Sequence, residues 1–128
     1  MKVKPILHWI LRIVPALIML QTFFFKFTGA PGSIFIFKTV GMEPWGRYGS
    51  GVAEAIAAIL ILIPAFTAFG ALIGTGVLSG AIFFHLTSLG IVVQDDGGSL
   101  FIMALVSFIC CALLIVIEKD KLLKLIGK

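Results

Sequence analysis

The stretch YGSGVAEAIAAILILIP, Tyr48 to Pro64, holds one acid, Glu54, in a run that is otherwise apolar or small. Arg47 stands immediately before it. A carboxylate at the centre of a membrane helix costs about 2.5 to 3.5 kcal/mol on insertion scales, so an acid in such a run marks a functional site by default and requires a partner.

The chain around it has the composition of a membrane protein. Of its 128 residues, 60% are hydrophobic and 12% charged, and the mean hydropathy is +1.18; soluble domains average roughly 45 to 50% apolar and about 25% charged. A span needs about 20 largely apolar residues to cross a core of about 30 Å. The chain offers such runs at about 6–27, 48–64, 67–90 and 100–117. The expected fold is an all-α, four-transmembrane-helix bundle forming a single domain over residues 1–128.

The formal charge of +4 invites a nucleic-acid reading, but its source excludes one. Lys2, Lys4, Lys119, Lys121, Lys124 and Lys128 all lie in the two tails. Basic residues close to a span mark the cytoplasmic side, and an even helix count puts both termini there, with Lys38 and Arg47 in the first outer loop. The first apolar run exceeds the roughly 7 to 15 residues of a signal-peptide core and is read as a retained helix. Pro15 should kink it near Leu11. His8 and Arg12 share a face near its inner end and are read as snorkelling to the interface.

Gly29 followed by Pro31 signals a helix stop. A short segment over about 33–40, capped by Ser33 and ended by Gly41, is expected to lie along the outer interface as a candidate lid. Trp45 and Tyr48 suit the headgroup belt. The second and third spans carry the small residues Gly51, Ala55 and Ala58, and the pairs Gly70/Gly74 and Gly76/Gly80, which suit close helix approach in lipid.

Depth then selects what Glu54 can touch. At about 1.5 Å per residue, Glu54 lies roughly 10 Å below the outer boundary and His85 roughly 8 Å below it. Gln21 and Lys26 on the first helix fall in or just above the same layer. Around its mouth stand Lys38, Trp45, Arg47 and the pair Asp95 and Asp96, which either cap the fourth helix or face Lys26, Lys38 and Arg47. Cys110 and Cys111 are adjacent in the inner half of the last span, match neither a redox pair nor a metal-ligand spacing, and are read as packing residues. No metal, haem, iron–sulfur or nucleotide motif is present in the sequence.

Lys26-Phe27-Thr28-Gly29, Gly41-Met42-Glu43-Pro44-Trp45 and Gly51-Val52-Ala53-Glu54, with Phe84-His85-Leu86 and Asp95-Asp96-Gly97-Gly98 later, resemble the DoxX family of small bacterial membrane proteins. The resemblance spans nearly the whole chain. It implies a bacterial cytoplasmic membrane location and a redox context, since founding members are linked to thiosulfate:quinone oxidoreduction and relatives to redox and oxidative-stress complexes. Two functions follow from it. In one, the outer polar layer holds a quinone or similar lipid-soluble molecule, with Glu54 and His85 as hydrogen-bond and proton-transfer groups and Lys26 stabilising reduced oxygen. In the other, the layer is a buried ionic network in a non-catalytic scaffold, anchor or assembly factor for a peripheral or membrane redox partner. Membrane lipid, a redox partner protein and a second copy of the chain are the candidate partners.

Overall fold

The computed structural model describes residues 4–29, 31–43, 45–90 and 98–125. All regular structure among them is helical: α1 (Pro5–Thr28), α2 (Pro31–Thr39), α3 (Trp45–Leu62), α4 (Thr67–Phe84), α5 (Ser99–Ile117) and α6 (Lys119–Leu125), with a 3₁₀ turn at Pro64–Phe66 and a π-helical turn at His85–Leu89. Asp95 and Asp96 lie outside the described residues.

α1, α3, α4 and α5 close a ring in which α1 packs on α3 and α5, and α4 packs on the same two. Small or slender residues fill the centre: Ala16 and Met19 from α1, Ala57, Ala58 and Ile61 from α3, Ala71 from α4, and Cys111 and Leu114 from α5. The bulky residues Leu17, Phe24, Ile56, Phe69, Leu72, Ile102 and Ile109 face outward. This arrangement suits lipid, which is as apolar as leucine, so that helices associate through close backbone approach rather than by hiding large side chains. Three helical stretches, Pro5–Thr28, Pro64–Thr87 and Ser99–Ile117, are long and apolar enough to cross a membrane. The glycines, Arg47 and Glu54 make α3 less apolar than its neighbours.

Several boundaries differ from the sequence reading. α2 begins at Pro31, whose fixed φ and missing N–H suit a first helical turn, so Ser33 lies within the helix and is not its cap. α3 begins at Trp45, because the Gly46 N–H already donates to the Met42 carbonyl at 2.7 Å. The helix ends at Leu62, and Thr67, fully buried, turns its hydroxyl back toward the carbonyls of Ile61 and Ile63 at 3.0 and 3.1 Å. α1 ends where the sequence places it, running through Pro15 to Thr28 with Gly29 at φ 71°. α6 covers residues read as a charged tail.

The two glycine pairs on α4 also divide. A Cβ on Gly70 would stand 2.6 Å from the Ile61 backbone nitrogen and 2.7 Å from the Ala57 carbonyl, and one on Gly74 would stand 3.0 Å from Cys111 Sγ. Those two are contact points with α3 and α5. Gly76 and Gly80 would meet nothing within 4 Å, so the expectation that they pack a helix is corrected.

Candidate functional site

Glu54 is only 4% exposed, and its partners come from α1. Lys26 donates to Oε1 in a buried ion pair. Thr22, one turn earlier on the same face, places its hydroxyl 3.0 Å from Oε2. That hydroxyl also lies 2.9 Å from the Met19 carbonyl, and it has one proton to give. Gly51 lets the helices approach closely enough: a Cβ there would stand 2.9 Å from the Phe27 ring.

A second pair seals the layer above. Arg47 donates from Nε to Glu43 at 2.9 Å and is ion-paired to it through Nη2 at 2.8 Å, while its Nη1 donates to the Lys26 carbonyl at the end of α1. The guanidinium also lies over the Tyr48 ring, 4.5 Å from its centroid, and Tyr48 meets Phe27 edge-on. One arginine therefore joins the end of α1, the α2–α3 connection and the first turn of α3. Two cations, Lys26 and Arg47, face two anions, Glu54 and Glu43.

Below α2 lies a cavity of about 490 Å³. Its polar wall includes Thr22, Lys26, Ser50, Glu54 and His85, and the remaining lining is mainly aliphatic and aromatic. α2 lowers Ile36 and Phe37 over it; Phe37 is buried, with its ring 5.5 Å from Lys26 Nζ. His85 is 5% exposed. Its ring stacks edge-on against Phe101 and its Nδ1 lies 3.0 Å from the Gly90 carbonyl.

Of the residues singled out in the sequence, Glu54, Lys26 and His85 share this cavity. His85 forms no hydrogen bond to Glu54; the second partner is Thr22, which sequence reasoning missed because a helical threonine can satisfy itself on its own backbone. Arg47 belongs to the cover above the cavity rather than its lining. Gln21, Lys38 and Trp45 are exposed and stand away from the cavity: Gln21 is one position from Thr22, and that step of about 100° turns it off the shared face.

The opposite end of the bundle holds a second ionic cluster. His8 Nε2 lies 2.8 Å from Glu118 Oε1 and Arg12 Nη2 lies 3.8 Å from the same oxygen, with Arg12 4.5 Å from the Trp9 ring centroid. The snorkelling expected of His8 and Arg12 is corrected: they turn inward because Glu118, just past α5, supplies the counter-charge. Cys111 is a free, buried thiol among the core residues, and Cys110 is free and partly covered.

No curated protein and no solved structure matches this chain. The family model DoxX matches residues 7–87. That span runs from α1 into the π-helical turn and contains Thr22, Lys26, Glu54 and His85. Covering well over half of the 128 residues, the match establishes that the chain belongs to the DoxX family of membrane proteins.

Proposed function

We propose that the cavity beneath α2 binds a quinone or similar lipid-soluble ring compound, and that the protein is the membrane subunit of a redox system. The observation that carries this reading is an apolar cavity of about 490 Å³ into which a buried carboxylate–ammonium pair and a buried imidazole converge. Ligand sites are concave and largely apolar, with a few placed polar groups. Here Lys26 has N–H groups beyond the one given to Glu54 with which to hold a ring oxygen and stabilise charge on it. Glu54 and His85 can hold or accept a proton at the same ring. The redox setting implied by family membership agrees with this chemistry. α3 serves as a fourth span, its two charged residues neutralised within the bundle, and α2 lies at the outer interface as a lid. The whole chain is then one domain of the bacterial cytoplasmic membrane with both termini inside.

The test uses protein in nanodiscs and decylubiquinone as the probe. Glu54→Gln keeps shape and removes the charge, and is expected to weaken binding at least tenfold while the variant inserts and melts near the wild-type temperature. If binding and melting temperature fall together, the ion pair is a structural network and the scaffold reading replaces this one.

A further inference from the structure

His85 sets the hydrogen-bonding polarity of the cavity. Its Nδ1 is 3.0 Å from the Gly90 carbonyl, and a carbonyl can only accept, so Nδ1 carries the proton. A neutral imidazole protonated there has a bare lone pair on Nε2. That nitrogen meets no hydrogen-bond partner among the described residues, although the side chain is 5% exposed and lines the cavity. Ser50 Oγ, from a residue on the same lining, is a buried polar atom without a partner among the described residues, and buried polar atoms are ordinarily satisfied.

The adjoining wall, on the same helix, suits a flat body. Gly76 and Gly80, one turn apart on α4, both line the cavity, and a Cβ on either would enter open space. They leave a strip of bare backbone where side chains would otherwise fill the volume.

We propose that the cavity is selective for the reduced, hydroxyl-bearing form of its ring compound: a phenolic hydroxyl donates to His85 Nε2 while the ring lies along Gly76 and Gly80. This rests on the ring-binding reading given above. A quinone offers only acceptors and would set a lone pair against the Nε2 lone pair, whereas a quinol offers the donor that Nε2 lacks. Lys26 can donate to an oxygen of either form and does not discriminate. A tenfold preference for the quinol raises the two-electron midpoint potential of the bound couple by about 30 mV.

Decylubiquinol and decylubiquinone are the probes, compared anaerobically on the whole protein in nanodiscs. Wild type is expected to bind the quinol at least tenfold more tightly. In His85→Phe, which keeps a ring against Phe101, the quinol-to-quinone affinity ratio falls to near one. Gly80→Leu fills the strip and abolishes binding of both forms. A readout that needs no variant is the imidazole ¹⁵N spectrum of histidine-labelled protein, which has only two histidines to resolve. His85 is expected as the Nδ1–H tautomer, with an Nε2 resonance that moves when quinol is added. Equal affinities for the two forms, or an Nε2–H tautomer, overturn the proposal and leave the ring-binding reading standing. Failure of both forms to bind overturns the two together. If His85→Phe does not fold, the wild-type affinity ratio and the tautomer decide the matter.

Discussion

Glu54 and Lys26 each hold the other in place. Truncating one partner of a buried pair leaves the other charge without a hydrogen-bonding partner, at a cost of about 3 to 5 kcal/mol, whereas the isosteric Glu54→Gln keeps an acceptor for Lys26 and is gentler; Lys26 retains a little exposure, which puts Lys26→Met near the lower end. Unfolding titrations in mixed micelles would show this, and adding Glu54→Gln to Lys26→Met should recover part of the loss, since the stranded charge is gone. A full loss in the double variant would mean that the pair stabilises by more than mutual neutralisation. Cys111 stands at the other extreme. Changing Cys110 and Cys111 together to Ala should cost about 1 kcal/mol for the small void left in the core and spare ligand binding; lost binding at a normal melting temperature would revive thiol chemistry. The carboxylate announced itself in the sequence because its insertion cost demands a partner. Lys26 followed from counting depth. His85 was placed at the right height, but height along a helix says nothing of azimuth at a neighbour, and its imidazole turned to Gly90 rather than to Glu54. Thr22 carried no signal, because a hydroxyl on a helix has a backbone acceptor within reach wherever it stands.

At the level of elements, α4 carries two glycine pairs with opposite duties. Gly70→Ala would push a methyl group into the α3 backbone, an overpacking worth about 1 to 3 kcal/mol, and Gly74→Ala would press on Cys111. Gly76→Ala and Gly80→Ala meet open space and should be neutral or slightly stabilising, since alanine favours helix over glycine by about 1 kcal/mol. Melting curves of the four single variants check the contrast. If Gly76→Ala destabilises as much as Gly70→Ala, the strip is a packing surface after all. The small-xxx-small pattern was plain in the sequence; which pair touches a helix and which borders a cavity was not, since that depends on where α2 comes down. The four apolar runs located the main helices to within a few residues. α6 and the inward turn of His8 and Arg12 escaped because Glu118 lies among lysines and reads as part of a solvated tail.

For the whole molecule, the orientation expected from the lysine-rich tails has a direct check. In a Cys110→Ala/Cys111→Ala background, Lys38→Cys should react with an impermeant maleimide in intact cells and Lys124→Cys should react only after permeabilisation. Labelling at 124 but not at 38 reverses the topology. Membrane character was legible from composition alone, and the ring order of α1, α3, α4 and α5 was not, because apolar runs mark where long helices fall but not which faces meet.

The modest hydropathy of α3 bears on how the protein is made. α1 leaves the ribosome before α3 and is apolar enough to enter the bilayer by itself; α3 follows with Arg47 and Glu54 and is a poor substrate for the insertion machinery when alone. On the four-span reading proposed above, Lys26 of α1 is then a waiting counter-charge, and α3 partitions into lipid against a helix already there. Biogenesis acquires an order in which charge pairing recruits a reluctant segment. Lys26→Glu should leave α3 stranded outside the bilayer, visible in a glycosylation-site mapping assay as a changed number of crossings, and Glu54→Lys added to it should restore insertion by exchanging the two charges.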